Sequence, residues 1–253
     1  MQGEIVVEDL RGGQLEQREL DIGIGIVAPF DFVLDREYWD VTPAGVGLHI
    51  TRTPFLHQQV GVDLAHLLSD DEVLAEATRE LLVADPAVTI FACTSGSFVD
   101  GLAGELRCRK AMESAGARLA LTTSGALLDA LRALRVERLS VATPYDAPTT
   151  QRLVEFLWEA NIRTVSSAFL GLTADIFRVG PGSVRELIRA ADHPEADAIF
   201  VSCTNLWTLD VLEEMTHALG KPVLSANQVT MWAALNAVGR PGPAIGQLLR
   251  SAS

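Results

Sequence analysis

Short apolar runs alternate along the chain with segments whose apolar residues recur at helical spacing. Four strands are predicted in the first half, at 22–29, 47–54, 87–93 and 118–123. Four more are predicted in the second half, at 138–146, 162–168, 196–205 and 221–228. Helical periodicity fills the intervals, at 69–85, from about 125, and at 147–160, 183–192, 209–220 and 229–239. This alternation is typical of βαβ units and predicts an α/β fold with parallel sheets.

Two of the predicted helices carry a sequence signal for their first turn. Ser69 and Glu72 have the spacing of a capping box, and so do Ser183 and Glu186. We therefore expect these helices to begin at Ser69 and Ser183.

The second half of the chain repeats signatures of the first. The segment 26–31 reads IVAPFD and 141–146 reads VATPYD, while 89–95 reads TIFACTS and 199–205 reads IFVSCTN. The prolines of the first pair lie 115 positions apart, and Cys93 and Cys203 lie 110 apart. The same order at nearly the same offset predicts two similar Rossmann-like subdomains, with parallel sheets, related by a pseudo-two-fold axis. We expect an N-terminal subdomain of 1–122 plus 228–253 and a C-terminal subdomain of 123–227.

Both cysteines of the repeat stand where a predicted strand ends. Ligands of open parallel sheets bind beyond the carboxyl ends of the strands. We therefore expect Cys93 and Cys203 to approach one cleft from opposite sides. Two thiols placed in this way suit proton transfer or addition at opposite faces of a small planar species, with a thiolate as nucleophile or base and the other thiol as acid.

The turns around the cysteines supply candidate substrate contacts. Thr94 and Ser95 follow the first cysteine, and Thr204 and Asn205 follow the second. Polar turns of this kind present N–H and O–H donors to a carboxylate. Tyr145 lies in the corresponding turn of the second half, where its hydroxyl could bind or protonate an enolate.

Each of these residues also has a plainer interpretation. Free cysteine is among the most buried residue types, so either cysteine taken alone would be assigned to the core, and Cys108 has no partner signature and is assigned there. Tyr145 could pack at a strand end. Asp31 and Asp146 could cap the helices that follow, and Phe30 and Phe32 could belong to a pocket or to the core.

Composition narrows the classes of function. The 253 residues are 48% hydrophobic and 21% charged, which is globular, and the net charge of −13 disfavours nucleic acid and anionic membranes as partners. The apolar runs are too short to cross a membrane, and the acidic amino terminus does not resemble a signal peptide. Three cysteines fit a reducing compartment, so a cytoplasmic protein is expected.

The sequence does not support a dinucleotide site or a metal site. The segment 23–28 formally satisfies the dinucleotide fingerprint G-x-G-x-x-A, but its glycines lie within a strand instead of in the turn after it. The five histidines have no metal-ligand spacing. No metal site is therefore predicted.

The order of these motifs resembles the aspartate/glutamate racemase superfamily. The segments that carry the resemblance are Cys93-Thr94-Ser95, Thr143-Pro144-Tyr145, Ser202-Cys203-Thr204 and Ser225-Ala226-Asn227-Gln228 ahead of a helix with Trp232. Within the superfamily they are most similar to the branch of maleate cis-trans isomerases, arylmalonate decarboxylases and ectoine-utilisation EutA-type proteins. The resemblance extends over about residues 23–239.

The resemblance implies a cofactor-independent enzyme with its site between two α/β subdomains. A thiolate at Cys93 would attack or deprotonate a small carboxylate substrate, with Cys203 and Tyr145 assisting in proton transfer and enolate stabilisation. Substrate binding is expected from the three turns, at Pro29, Phe30, Asp31, Thr94, Ser95, Thr204 and Asn205. The frequent oligomerisation of the family leads us to expect a homo-oligomer.

Two departures from the isomerase pattern concern the substrate. Maleate isomerases typically carry an asparagine in the first turn, where this chain has Pro29-Phe30-Asp31-Phe32. They carry a second asparagine about thirty residues past the tyrosine, where this chain has Asp175 nearby and no asparagine. Both changes remove donors for a second carboxylate, which favours a substrate with one carboxylate and a bulkier or cationic arm.

The expected function is therefore an isomerase or racemase of a small carboxylic acid that uses the Cys93–Cys203 pair. One alternative is an arylmalonate-type decarboxylase with Cys203 as proton donor, although decarboxylases of the branch usually keep only the second cysteine. Another is a non-catalytic small-molecule binding protein, in which neither thiol would be reactive near neutral pH.

Overall fold

A computed structural model describes residues 21–241, and within them eight strands form two parallel sheets. The first sheet contains β1 (Ile22–Ala28), β2 (Val46–Arg52), β3 (Val88–Phe91) and β4 (Ala120–Thr122). The second contains β5 (Arg138–Thr143), β6 (Arg163–Phe169), β7 (Ala198–Val201) and β8 (Val223–Ser225). All eight predicted strands are present, each close to its predicted range.

The two sheets repeat one topology. The strand order is β2-β1-β3-β4 in the first and β6-β5-β7-β8 in the second, with every pairing parallel. The strand before Cys93 is β3 and the strand before Cys203 is β7, so the cysteines occupy equivalent places. The predicted fold of two similar α/β halves is confirmed.

Ten α-helices lie in the described part of the chain. Five precede β4: α1 (Asp35–Asp40), α2 (Val62–Leu68), α3 (Asp71–Leu81), α4 (Thr94–Phe98) and α5 (Gly101–Ser114). The others are α6 (Thr123–Leu134), α7 (Ala147–Glu159), α8 (Pro181–Ala191), α9 (Leu209–Leu219) and α10 (Ala226–Ala237). Helices α1, α2 and α4 were not predicted, because five to seven residues are too few to show helical periodicity. Helix α5 was given no range either, since its apolar residues gather on one face less strongly than those of α3.

Both predicted capping boxes are wrong. The first turn of α3 is capped by Asp70, whose carboxylate accepts hydrogen bonds from the N–H groups of Glu72 and Val73, while Ser69 donates to the carbonyl of His66. Helix α8 begins at Pro181, two residues before Ser183, and has no side-chain cap. Proline is pre-organised for the first helical position, so it sets the start of this helix.

The glycines of the apparent dinucleotide fingerprint serve packing within β1. A Cβ on Gly23 would lie 3.2 Å from the His49 ring, and one on Gly25 would lie 3.1 Å from the Thr89 hydroxyl. The space is therefore needed by neighbouring elements and not by a ligand in a turn, which agrees with setting the fingerprint aside.

Buried side chains divide between the sheets, and α10 contributes to both groups. Its Val229 packs in the core of the second sheet, whereas Met231 and Leu235 pack in a core of the first.

The subdomain boundaries at 122/123 and 227/228 stay a prediction, and the first twenty residues and 242–253 lie outside the described residues. Within the described part, no helix has the length and apolar content needed to span a bilayer.

Candidate active site

A small cavity lies between the carboxyl ends of the two sheets. Its volume is about 30 Å³. Nine of the ten site residues predicted from the sequence line it: Pro29, Asp31, Cys93, Thr94, Ser95, Tyr145, Cys203, Thr204 and Asn205. A groove of about 840 Å³ along α5 and α6 is larger but contains no cysteine, so the small cavity is the better candidate for thiol chemistry.

The tenth residue, Phe30, is not part of the cavity lining. Its ring packs edge-on against Phe55, with the ring centroids 5.2 Å apart. The next aromatic residue, Phe32, is buried in the core, where it stacks on Tyr38. A substrate contact from Phe30 would therefore need a rearrangement of this segment.

Cys93 stands at the junction of β3 and α4, where it is 3% exposed. The backbone N–H of Gly96 donates to its sulfur at 3.4 Å, and the Ser95 hydroxyl lies 3.8 Å from it. A Cβ at Gly96 would lie only 3.2 Å from this sulfur, so glycine permits the close approach. Burial outweighs both hydrogen bonds and raises the pKa of Cys93 to about 12.

Cys203 has a strained backbone, with φ at +91°, where residues other than glycine are rare. Strain of this kind persists only where the surroundings impose it, and it concentrates at functional sites. Burial raises the pKa of Cys203 to about 12, against hydrogen bonds from the Asn205 backbone and the Tyr145 hydroxyl that lower it. The negative charge of Asp31 raises the pKa of both cysteines further.

Tyr145 lies beside Cys203 and is 2% exposed. Its hydroxyl oxygen accepts a hydrogen bond from Ser202 at 3.5 Å. Burial and the nearby thiols raise the pKa of Tyr145 well above its ordinary value, so the phenol is neutral at physiological pH. It can donate a hydrogen bond or a proton to a negative charge that develops in the cavity.

Three polar side chains of the cysteine turns differ in their hydrogen bonding: one has no partner, and the other two bond to neighbouring backbone segments. The Thr94 hydroxyl is buried and has no hydrogen-bond partner within the described residues. The Thr204 hydroxyl donates to the carbonyl of Ala92 at 3.1 Å. The Asn205 amide donates to the Asp31 carbonyl at 2.9 Å and accepts from the Val33 N–H at 3.1 Å. Of these side chains, Thr94 alone is therefore uncommitted.

An apolar wall that the sequence did not reveal closes the cavity. Its members are Val60, Leu64, Leu68 and Ile176. The N–H of Val60 donates to the carbonyl of Thr173 at 2.8 Å, so loops from both halves meet at this wall.

Glu37 is a buried carboxylate that supports the turn after Cys203. It accepts hydrogen bonds from the N–H groups of Thr208 and Leu209 at 2.7 and 2.9 Å, and from the Asn227 amide at 2.5 Å. The same amide donates to the carbonyl of Thr204 at 2.9 Å. Glu37 was missed because one acid in a short, mixed-polarity segment gives no signal of burial.

The remaining residues singled out from the sequence have structural roles. Asp146 caps α7 by accepting from the Thr149 N–H at 3.0 Å, as its plainer interpretation held. Cys108 is fully buried in the core around α5. Asp175 is exposed, pairs with Arg178 at 3.3 Å and does not line the cavity, although its neighbour Ile176 does. Among residues 21–241, no group of three or more His, Cys, Asp or Glu side chains could hold a metal ion.

Comparison with known proteins identifies the family. The model of the arylmalonate decarboxylase family matches residues 63–249 of this chain. The chain belongs to this family. It is 34% identical over 180 residues to arylmalonate decarboxylase of Bordetella bronchiseptica, covering 68% of this chain and 75% of that protein. It is equally 34% identical over 185 residues to maleate isomerase of Nocardia farcinica, covering 69% and 73%.

Solved structures of both enzymes share the fold. A cysteine-to-serine mutant of the N. farcinica maleate cis-trans isomerase, with a covalently bound succinylcysteine intermediate, superposes with a TM-score of 0.83 at 25% identity, covering 92% of this chain and 99% of that one. A liganded arylmalonate decarboxylase, with one glycine changed to cysteine and one cysteine to serine, gives 0.82 at 28% identity and covers 90% and 98%. The chain is therefore an enzyme of this family, an isomerase or a decarboxylase.

Proposed function

We propose that this enzyme is an isomerase or racemase of a small carboxylic acid and that it uses Cys93 and Cys203 as a pair. The observation that carries the proposal is the approach of both thiols to one cavity, each from the end of the equivalent strand of its own sheet. A single-thiol reaction would not need the second cysteine at this place. The likeness to maleate isomerases, one of them solved with a succinylcysteine intermediate, supports cysteine as the nucleophile.

The reaction requires one thiolate and one thiol. Both thiols are neutral at rest, because burial raises the pKa of each to about 12. Cys93 therefore loses its proton to solvent as the substrate binds, and the Gly96 N–H then stabilises the thiolate.

Two courses then follow from the same geometry. In a racemisation, the Cys93 thiolate takes the α-proton, the C–H electrons delocalise into the carboxylate, and Cys203 returns its own proton to the opposite face. In a cis-trans isomerisation, the Cys93 sulfur adds to one alkene carbon, and the other carbon, a carbanion stabilised by its carboxylate, takes the proton of Cys203 and returns it before the adduct breaks down. Rotation about the resulting single bond and expulsion of the thiolate complete the reaction. The neutral Tyr145 hydroxyl stabilises the enolate oxygen in either course.

A decarboxylase is the second candidate, and the apolar wall of the cavity favours it. A carboxylate held against Val60, Leu64 and Ile176 is poorly solvated, which promotes loss of CO₂. Cys203 would then protonate the resulting carbanion, and Cys93 would have no chemical role. The neighbouring decarboxylases and the matching family model support this candidate.

Proton NMR in D₂O with a panel of small acids distinguishes these reactions. The panel contains maleate, both enantiomers of aspartate and glutamate, diaminobutyrate derivatives and an arylmalonate. Deuterium entering an α-carbon, or a cis alkene becoming trans, is the expected result. Loss of CO₂ that survives Cys93→Ala would replace the proposal with the decarboxylase, and no reaction with unreactive thiols would leave a binding protein.

A further inference from the structure

Asp31 places a carboxylate in the reaction cavity. The residue follows β1 and lines the cavity together with Cys93 and Cys203. The Asn205 side chain fixes its backbone by bonding to its carbonyl and to the N–H of Val33. The turn is closed further by the N–H of Phe32, which donates to the carbonyl of Pro29 at 3.0 Å. The backbone that carries this carboxylate is therefore held in place by the fold.

The Asp31 carboxylate lacks a cationic partner among the described residues. None of the residues lining the cavity is a lysine, arginine or histidine. Arg52, which bonds to the Phe32 carbonyl of the same turn at 3.2 Å, directs its guanidinium to both carboxylate oxygens of Asp35 at 2.8 Å. Burial of this carboxylate without a counterion raises the pKa of Asp31, against hydrogen bonds from its own backbone N–H and from the Asn205 side chain that lower it.

Thr94 supplies a second uncommitted polar group in the same cavity. Its side chain is 1% exposed, and its hydroxyl has no partner within the part of the chain that the structure describes. Buried hydroxyls are normally hydrogen-bonded, and exceptions call for a ligand or water. A hydroxyl can donate to a carboxylate, so the cavity holds one acceptor for a cation and one donor for an anion.

We propose that the substrate is a zwitterionic acid whose ammonium group pairs with the Asp31 carboxylate while its own carboxylate accepts a hydrogen bond from Thr94. This inference rests on the proposed function, since it names the substrate class of the same cavity. An acid with a second carboxylate in place of the ammonium group would meet the charge of Asp31 in a desolvated site, where like charges repel strongly.

An ion pair between the substrate ammonium group and Asp31 would also favour ionisation of the thiols. The negative charge of Asp31 contributes to the raised pKa of both Cys93 and Cys203. An ammonium group beside Asp31 offsets that charge, and the thiolate becomes easier to form when the substrate is in place. Substrates that lack the ammonium group would bind without this effect.

Matched pairs of acids test the proposal by equilibrium binding. The pairs are aspartate against succinate and 2-aminobutyrate against butyrate, each titrated calorimetrically into the wild type, Asp31→Asn and Asp40→Asn. Asp40 is an exposed aspartate of α1, so its variant controls for the loss of one charge. We expect at least one ammonium-bearing acid to bind at least about 30-fold tighter than its partner, a preference lost in Asp31→Asn and kept in Asp40→Asn.

Three results would overturn the proposal: equal affinity for both members of every pair, a preference that survives Asp31→Asn, or no binding of any ammonium-bearing acid. Turnover, followed by deuterium incorporation on the same samples, separates this inference from the proposed function. Selective, Asp31-dependent binding without turnover would support the site and refute the reaction. Turnover of maleate that Asp31→Asn leaves unchanged would support the reaction and refute the ammonium site.

Discussion

The hydroxyl of Thr204 donates a hydrogen bond to the carbonyl of Ala92, 3.1 Å away. Thr204 follows Cys203 directly and Ala92 precedes Cys93, so one bond joins the two cysteine turns across the halves of the molecule. The relative placement of the thiols therefore depends on a contact that neither half makes alone.

Replacing Thr204 by valine tests this link. Valine keeps the shape but removes the donor, and it leaves the Ala92 carbonyl unsatisfied in a buried place. We expect a loss of about 1–3 kcal/mol in the free energy of unfolding, measured with urea. Because misplaced reacting groups lower rates steeply, turnover should fall by roughly tenfold or more.

Thr78→Val is the matched control, since Thr78 is a buried threonine that donates to the carbonyl of Leu74 at 2.7 Å inside α3, away from the cavity. It should lose no more stability, since the Leu74 carbonyl still accepts the helical N–H of Thr78, and it should keep its turnover. Equal turnover in the two variants would show that the link does not position the thiols.

The strain at Cys203 predicts a conflict between stability and function. At a φ of +91°, alanine is strained and glycine is not. We expect Cys203→Gly to be more stable than Cys203→Ala by about 1 kcal/mol, while both are inactive. Denaturant midpoints with equal slopes provide the measurement, and a glycine variant that is less stable than the alanine variant would contradict the strain.

Asp31 should control the ionisation of the two thiols. Its charge contributes to the raised pKa of each, so Asp31→Asn should lower both pKa values and move thiol alkylation to lower pH. Alkylation rates resolved by mass spectrometry at Cys93 and Cys203 would measure the shift. The Asp40→Asn profile should coincide with that of the wild type, and an unchanged profile in Asp31→Asn would rule out the electrostatic coupling.

Asp31→Asn should also change the way in which stability depends on pH. Because the pKa of Asp31 is raised above its ordinary value of 3.8 in the folded state, its contribution to stability is greatest below that pH and is lost as the pH rises through the folded-state pKa. Asp31→Asn avoids that loss. Its thermal midpoint should exceed the wild-type value near neutral pH and approach it in acid.

Glu37 should be required for the turn that carries Cys203. In Glu37→Gln the amide must place an N–H group toward either the Asn227 amide or the backbone donors of Thr208 and Leu209, all of which now face a carboxylate. We expect a loss of at least about 1 kcal/mol in the free energy of unfolding. Glu76→Gln, at an exposed position of α3, should change stability little, and equal effects in the two variants would contradict this role.

The strand pattern and the two cysteine turns could be predicted because they are properties of short segments. The eight strands appear as short runs of strand-forming residues, and Cys93 and Cys203 lie two residues after the ends of β3 and β7. The repeated sequence signatures then predicted two similar halves, and the two sheets do share one strand order. The contacts that hold the two turns in place relative to one another are not properties of short segments.

The contacts that assemble the site join residues far apart in the chain. Glu37 bonds to Asn227, 190 positions away, and Asn205 bonds to the Asp31 carbonyl, 174 positions away. Asn205 was predicted to bind substrate because it follows Cys203, yet its amide is occupied by this tie. The apolar wall at Val60 and Ile176 comes from loops whose composition does not show which cavity they cover.

The most direct test of the paired thiols compares three cysteine variants on the substrate that the panel identifies. We expect Cys93→Ala and Cys203→Ala each to lower kcat/KM by about 10³-fold or more, because each removes a group that handles a proton or bonds to carbon. Cys108→Ala, in the core, should stay within about tenfold of the wild type. Turnover by Cys93→Ala or Cys203→Ala at a near wild-type rate would show that the two thiols do not act as a pair.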